Sequence, residues 1–257
     1  MYLRENLVAF WTIVVKEVLR FMRIWVQTIV PPAINSLLYM VIFGTLIGSQ
    51  IADMGGHRYI EYIVPGIIMM TVITNSYGNV VSSFYSTKFQ RNIEELLISP
   101  VHNIFILAGY VAGGVLRGFT VGIVVALVSM LFTHLSMHNF FQTFSIMFLT
   151  ATLFSIAGFI NAIYARSFDD ISIIPNFVLT PLTYLGGIFY SIKMLPEFWQ
   201  NVSMLNPVLY MINGFRQGVL GTSDIDIAVS YLVIIAFIGL FGFWAMKLLN
   251  NGVGIKE

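Results

Sequence analysis

The chain has 257 residues, of which 58% are apolar and 10% are charged, and its mean hydropathy is +0.85. About 25% of the residues of a soluble globular chain are charged, so this composition indicates a protein whose solvent is the lipid bilayer. The absence of cysteine excludes disulfides and thiolate catalysis, and a formal net charge of +1 argues against a nucleic-acid partner.

The first 23 residues predict an amphipathic helix rather than a cleaved signal sequence. Lys16, Glu17, Arg20 and Arg23 share one helical face, and apolar side chains occupy the opposite face. This pattern favours a helix that lies in the membrane interface. The alternative is the solvated end of the first spanning helix.

Six apolar stretches are long enough to cross a bilayer, which needs about 20 residues in a helix. They are residues 24–48, 60–86, 104–132, 140–164, 171–191 and 228–249. The predicted fold class is therefore an all-α membrane protein with six transmembrane helices, in one transmembrane domain over residues 1–257. Lysine and arginine are more frequent in the segments on the side of the two termini, which predicts that both termini are cytoplasmic.

The loop after the second predicted span, KFQRNIEELLISP (residues 88–100), holds four charged residues between two apolar runs. Phe89, Ile93, Leu96 and Leu97 fall on one helical face, and the charges fall opposite. The pattern predicts a short amphipathic helix that docks into a groove of another protein. The alternative is a solvated loop whose charges only set the topology.

Residues 192–227, before the last span, predict two short helices. Gly186 and Gly187 can end the fifth helix, and Asn206 is placed to cap a new helix that begins at Pro207. We expect a re-entrant hairpin that dips into the outer leaflet. The alternative is an outer loop that lies on the lipid headgroups.

One charge, Arg117, falls in the middle of the third predicted span, where insertion of arginine costs about 2.5–3.5 kcal/mol. Glycines around it predict close packing on another helix, so Arg117 should point into protein or a wet cavity. One interpretation is a site for an anionic headgroup or a substrate phosphate, and the other is a structural arginine bonded to helix carbonyls. The glycines form two rows: Gly109 and Gly113, and Gly114, Gly118 and Gly122.

The sequence contains no recognisable catalytic, metal or nucleotide site. His134 and His138 have a spacing that can hold a metal, but no carboxylate or cysteine is near in sequence, so a solvated pair is favoured. No lysine follows a glycine, so the phosphate-binding GxxxxGK[ST] pattern is absent. We therefore expect no enzyme activity, metal or cofactor in this chain itself.

Three segments resemble the permease subunit of ABC-2 type transporters. The resemblance extends over essentially the whole chain. It is strongest to a group of small bacterial inner-membrane permeases. The segments are the amphipathic N-terminus, FQRNIEELLISP after span two, and LTPLTYLGGIFYSIKMLPEFWQNVSMLNPVLYMINGFRQG at residues 179–218. The skeleton of the third segment maps onto Gly186, Gly187, Phe189, Pro196, Asn206, Pro207, Tyr210 and Arg216.

The resemblance implies a role for each segment. The loop would be a coupling helix seated in a separate ATPase subunit, the N-terminal helix would be a second cytoplasmic contact, and the third segment would close the outer end of the pathway. ATP and Mg would bind in two copies of that ATPase, against a homodimer of this chain. The implied contacts are Phe89, Gln90, Arg91, Glu94, Glu95 and Leu96 for coupling, and Lys16, Glu17 and Arg20 for the second contact.

The predicted function is therefore that of an exporter permease in the bacterial inner membrane, surrounded by membrane lipids. Its substrate would be lipid-like, amphipathic and drug-like, or a glycan. The alternative is an ATP-independent channel or secondary transporter, which is disfavoured because such carriers use carboxylates inside the membrane. In this sequence the acidic residues fall in loops or at the ends of the spans.

Overall fold

The computed structural model describes residues 2–51, 53–93, 95, 99–134 and 137–252, and every named element in these ranges is helical. A π-helical stretch, Met40–Ile47, continues the third helix, and another, Pro175–Leu179, joins the seventh helix to the eighth. The α-helices are α1 Tyr2–Arg23, α2 Trp25–Thr28, α3 Val30–Tyr39, α4 Tyr59–Phe89, α5 Asn103–Ser129, α6 Phe140–Tyr164, α7 Asp170–Ile174, α8 Thr180–Tyr184, α9 Glu197–Met204, α10 Pro207–Leu220 and α11 Ile227–Asn251.

Four helical segments are long and apolar enough to cross a membrane, and they coincide with the first, third, fourth and sixth predicted spans. The all-helical architecture and these four helices agree with the sequence-based expectation. The segments are Trp25–Ile47, Asn103–Ser129, Phe140–Tyr164 and Ile227–Asn251.

The second predicted span corresponds to α4, which differs in character from those four. It has 31 residues, so it is about 46 Å long, well beyond the roughly 30 Å of a bilayer core. Most of its side chains are buried, and α5, α6 and α10 pack around it. A helix that is covered by protein does not need a lipid-compatible surface, so α4 carries more polar residues than the four apolar segments.

The fifth predicted span, residues 171–191, is shorter than predicted. The helical path through α7, the π-helical stretch and α8 ends at Tyr184, and Gly187 then turns the chain with φ +75°. Pro175 and Pro181 lack the backbone donors that a regular α-helix needs, which accounts for the π-helical stretch between α7 and α8. The predicted end at residue 191 was therefore wrong, whereas the chain does turn at one of the two glycines predicted to end this helix.

The glycine rows of α5 provide the close helix contacts that were predicted. A Cβ added at Gly109 would lie 2.8 Å from the Cβ of Ile13 on α1, and one at Gly118 would lie 2.0 Å from the Oγ of Ser76 on α4. Both contacts are too short for any side chain. Glycine is therefore required where α5 meets its two neighbours.

The first helix, α1, runs alongside α5 in the same direction. Asn6 Oδ1 accepts a hydrogen bond from the backbone of His102 at 2.9 Å, and eleven residues further along, Glu17 packs against Gly113. A helix lying flat across α5 would not follow it for about three turns. The predicted helix over residues 1–23 is therefore present, but it follows α5 with an apolar stripe outward. That exposed stripe consists of Leu3, Leu7, Val8, Trp11, Val15, Leu19 and Met22.

We expect Gly158→Ala to destabilise the protein by about 1–3 kcal/mol, because its Cβ would lie 2.6 Å from the backbone oxygen of Tyr77. Gly239→Ala is the control, since a Cβ there meets nothing within 4 Å. The measurement is thermal unfolding of both variants in the same lipid nanodiscs. Equal unfolding midpoints for the two variants would contradict the close packing of α6 on α4.

Candidate functional site

The Phe89 end of α4 is fixed to the turn that follows α6. Lys88 Nζ donates to the carbonyl oxygens of Ile163 and Ala165 at 2.6 and 2.9 Å, so a cation satisfies carbonyls at the C-terminal end of α6. The ring of Phe89 lies 5.2 Å from the ring of Phe168. The end of α4 is therefore attached to the turn between α6 and α7 by both polar and aromatic contacts.

The same turn is ordered by a carboxylate. The backbone N–H groups of Arg166 and Ser167 donate to Asp170 Oδ2 at 2.8 and 3.1 Å. These bonds, with that from Arg166 the largest cause, hold the pKa of Asp170 below its usual value. Asp170 therefore stays ionised at neutral pH and keeps the turn in its bent form.

The predicted coupling segment begins with a strained residue. Arg91 has φ 61°, a left-handed conformation that costs a non-glycine residue about 1–2 kcal/mol. Gln90, Arg91 and Glu95 are exposed, whereas Ile93 is only 2% exposed. The turn therefore presents polar side chains outward and places one predicted apolar anchor inside the protein itself.

The other predicted coupling residues divide into two groups. Phe89 is 64% exposed and remains available to a partner. Glu94 and Leu96 lie outside the described residues. A contact between this segment and an ATPase stays a prediction.

A polar stripe runs along α4 at four-residue intervals, so its members lie on one face of the helix. Side chains from α1, α3 and α5 bond to it. Its length from first to last Cα is about 24 Å. The stripe consists of Thr71, Asn75, Asn79, Ser83 and Thr87.

Glu17 is the most deeply buried acidic side chain that contacts this stripe, with 0% exposure. Its Oε2 accepts from Asn79 Nδ2 at 3.3 Å and from Arg20 Nη2 at 3.2 Å, and its Oε1 accepts from Ser83 Oγ. Arg20 Nη2 also donates to Asn79 Oδ1 at 2.8 Å. The carboxylate is therefore bonded and ion-paired inside the protein.

These contacts bear on the predicted second cytoplasmic contact. Lys16 is exposed and Arg20 is partly exposed, and Lys16 Nζ donates to Thr87 Oγ1 at 3.3 Å. Glu17 is turned fully inward, so its carboxylate is not accessible to another protein in this structure. A role of Lys16 and Arg20 in binding a partner stays a prediction.

Arg117 lies beside the same stripe. Its Nη2 donates to Asn75 Oδ1 at 3.3 Å, and its buried Nε has no hydrogen-bond partner in the described part of the chain. The side chain points into the protein, and this hydrogen bond goes to an amide side chain rather than to a helix carbonyl.

A polar cleft of about 310 Å³ lies between α3, α4 and α8. Across it, the hydroxyl groups of Tyr39 and Tyr184 are 2.9 Å apart. Toward the Tyr59 end of α4, Phe43 and Phe189 stack beside this pair with ring centroids 4.7 Å apart. The cleft is lined by Pro32, Asn35, Ser36, Tyr39, Met70, Thr71, Thr74, Asn75, Thr180, Thr183 and Tyr184.

Arg216, on α10, is the centre of a second polar network and is 1% exposed. Its guanidinium lies 3.9 Å from the ring centroid of Tyr62, and its Nη2 donates to the carbonyl oxygen of Gly187 at 2.6 Å. Its Nη1 donates to Tyr62 Oη at 3.0 Å. This arginine therefore joins α4, α10 and the turn after α8.

A carboxylate extends the Arg216 network. Asp224 Oδ2 accepts from Ser191 Oγ at 2.7 Å and from the backbone of Ile192 at 3.2 Å, and Asp224 donates its own N–H to Asn213 Oδ1. Lys193 approaches the other carboxylate oxygen at 3.7 Å. The loops on both sides of α9 and α10 are thereby held together.

The rest of the predicted motif has structural roles around α9 and α10. Asn206 caps α10, since its Oδ1 accepts from the backbone of Val208 at 3.0 Å, and this prediction is confirmed. Pro196 precedes α9 as its N-cap, and Tyr210 Oη donates to Met204 O at 2.7 Å. A Cβ at Gly186 would lie 2.9 Å from Ile212, so α10 packs directly on this glycine.

The two short helices predicted within residues 192–227 are present as α9 and α10. Phe198 and Trp199 of α9 are exposed, as is Leu205 directly after it, so this apolar stripe faces away from the protein. That surface suits a lipid environment. The predicted dip into the outer leaflet stays a prediction.

Comparison with known proteins identifies the family. Residues 8–220 match the family described as ABC-2 type transporter. The chain belongs to the ABC-2 type transporter family. It is 54% identical over 250 residues to the inner membrane transport permease YadH of Escherichia coli strain K12, a match that covers 97% of this chain and 98% of YadH.

More distant relatives match most of the chain as well. Nodulation protein J of Neorhizobium galegae is 21% identical over 247 residues, which is 96% of this chain and 93% of that protein. Nodulation protein J of Rhizobium meliloti is 21% identical over 218 residues, covering 84% and 82%. The resemblance inferred from the three segments is thus confirmed for the family.

Sequence reasoning about this ABC-2 chain missed the polar stripe of α4 and the hydroxyl pair of Tyr39 and Tyr184. The four-residue spacing of the stripe is visible in the sequence and was a usable signal. The tyrosine pair has no such signal, because its members are 145 residues apart. Asp224 was also missed, since its partners come from a separate loop.

We expect Arg216→Ala to lower the free energy of unfolding by about 3–5 kcal/mol, because it leaves buried carbonyl groups and Tyr62 without their donor. Lys193→Ala should change it by less than about 1 kcal/mol, since Lys193 is exposed. Both variants are compared by thermal unfolding in nanodiscs. A loss of equal size in the two variants would contradict the central place of Arg216 in this network.

Proposed function

We propose that this chain is the permease subunit of an ATP-driven exporter in a bacterial inner membrane. Membership of the ABC-2 family makes it a transport permease. The localisation follows the similarity to YadH, whose name places that relative in the inner membrane. Six membrane crossings would then use α4 and the α7–α8 segment in addition to the four apolar helices, and both termini would be cytoplasmic.

The observation that carries the proposal is the polar cleft between α3, α4 and α8. Asn35, Thr74 and Thr180 stand exposed at its rim, so the cleft opens on the surface of the single chain. Polar side chains that face hydrocarbon are costly. A second copy placed over this face would enclose the cleft, which supports a homodimer with the pathway between the two chains.

The cleft also supports a class of substrate. Its lining offers hydroxyl and amide groups beside aromatic rings and carries no charged side chain. Such a surface suits the hydroxyl-rich part of a glycan or an amphipathic molecule. We propose that the aromatic side chains Tyr39, Phe43, Tyr184 and Phe189 close the pathway on the outer side of the cleft.

Coupling to a separate ATPase would begin at residues 88–100. Because α4 is one continuous helix from Tyr59 to Phe89, a displacement at its Phe89 end reaches the cleft within the same rigid element. The contacts of Lys88 and Phe89 would carry the displacement to α6 and α7 as well. Two ATPase copies, which would bind the ATP and Mg, would move the two chains of the dimer together.

The experiment is ATPase activity in lipid nanodiscs of the permease purified with the ATPase encoded beside its gene. Arg91→Gly relieves the left-handed strain of this residue, so the fold should be unchanged or slightly more stable. Loss of its guanidinium from the ATPase contact should nevertheless reduce permease-dependent ATPase activity by about tenfold, the effect of some 1.4 kcal/mol. Glu95→Ala should act in the same direction.

The matched controls are Lys193→Ala and Glu197→Ala. Both residues are exposed, and the proposed topology places them on the opposite side of the membrane from residues 88–100. They should keep the activity of the unmodified complex. Native mass spectrometry of the same sample should show two permeases with two ATPases. Absence of an ATPase complex, with normal behaviour of Arg91→Gly, would instead favour an ATP-independent channel or carrier.

A further inference from the structure

Three cations bond to members of the α4 polar stripe. Lys16 donates to Thr87 and Arg20 to Asn79, while Arg117 donates to Asn75. From Thr87 to Asn75 the stripe rises by about 18 Å along the helix. The cations thus form a ladder from the Phe89 end of α4 toward the polar cleft, which Asn75 lines.

The charges of this ladder are not balanced. Glu17 is the carboxylate bonded to it in the described structure, and Glu17 pairs with Arg20 at 3.2 Å. No ion pair is formed by Arg117 among the described residues, and the buried Nε atoms of both arginines have no hydrogen-bond partner there. An unpaired guanidinium inside a membrane protein is costly, so an anion at this position would be stabilising.

The geometry also leaves the arginines accessible to a ligand. Asn75 and Asn79 are one helical turn apart, about 6 Å along the helix. The guanidinium groups of Arg117 and Arg20 therefore bond to neighbouring residues of the stripe. Arg117 and Arg20 are both partly exposed.

We propose that Arg117, with Arg20 one turn away, binds the anionic headgroup of an amphipathic molecule. A phosphate or carboxylate accepts two parallel hydrogen bonds from a guanidinium and supplies the negative charge that Arg117 lacks. The apolar chain of the ligand would lie along the exposed apolar stripe of α1. The ligand is either a resident phospholipid or an anionic amphipathic substrate, and the site exists independently of any ATPase partner.

The test compares thermal unfolding in nanodiscs of phosphatidylcholine with nanodiscs that also contain phosphatidylglycerol. The unmodified protein should gain about 5 °C from the anionic lipid, as expected for a site filled well above its dissociation constant. Arg117→Gln should lose most of this gain, and Arg117→Lys should keep part of it. Arg23→Gln, which removes an exposed cation at the end of α1, should keep the full gain.

A second variant distinguishes loss of anion binding from a folding defect. Arg117→Met removes the unpaired charge, so it should unfold at a higher temperature than the unmodified protein in pure phosphatidylcholine and should not respond to phosphatidylglycerol. Equal responses of the unmodified protein, Arg117→Gln and Arg117→Met to the anionic lipid would overturn the proposal. A loss of response in Arg23→Gln as large as that in Arg117→Gln would overturn it too.

The source of the headgroup is distinguished by mass spectrometry and by an added probe. A resident lipid predicts that phosphatidylglycerol co-purifies with the unmodified protein and not with Arg117→Gln. A substrate headgroup predicts no retained lipid, but a higher unfolding midpoint when dodecyl phosphate is added in phosphatidylcholine, an effect absent with dodecyltrimethylammonium. If neither ligand distinguishes the unmodified protein from Arg117→Gln, Arg117 binds no anion and the proposal fails.

Discussion

The hydrogen bonds made by the buried carboxylate of Glu17 to the polar stripe of α4 are the contacts on which the rest of the structure depends. They join α1 to the helix around which α5, α6 and α10 pack. The carboxylate is fully buried, and Asn79, Ser83 and Arg20 satisfy it. Removing any of these partners would leave the buried carboxylate with fewer hydrogen bonds in a low-dielectric interior, so the cluster favours this placement of α1 against α4.

The helix α4 connects two distant polar networks. At one end Lys88 holds the turn after α6, and at the other end Tyr62 stacks on Arg216. The polar cleft lies between these ends, beside Thr71 and Asn75. The helix is continuous over its 31 residues, with Pro65 between Tyr62 and the residues that line the cleft. In the proposed mechanism, a displacement at the Phe89 end of α4 would reach the cleft along this helix.

Much of this fold was predictable, because long apolar runs and capping residues act locally. The fourth span was predicted with the same bounds as α6, and the cap of α10 by Asn206 follows from a side chain two residues from its partner. The π-helical stretch at Pro175 and the inward turn of Glu17 were not predicted. The inward turn depends on tertiary context, since burial against α4 decides which face of α1 is inside.

The same limit applies to the site. Motif residues such as Asn206 and Arg216 stand out in the sequence, but the partners of Arg216 come from positions 29 and 154 residues away. The stripe of α4 could be read from its spacing, yet its meaning requires the helices that surround it. Sequence periodicity reports that a face is polar and does not report which helix covers that face.

The measurement that tests the account most directly is a double-mutant cycle between Glu17→Ala and Asn79→Ala. The free energies of unfolding are measured by thermal unfolding in nanodiscs. The cluster predicts an interaction free energy of about 0.5–3 kcal/mol between these residues. Glu5→Ala, an exposed carboxylate of the same helix, should be additive with Asn79→Ala within about 0.5 kcal/mol. Additivity of Glu17→Ala with Asn79→Ala within that same range would contradict the claim that this contact organises the helices.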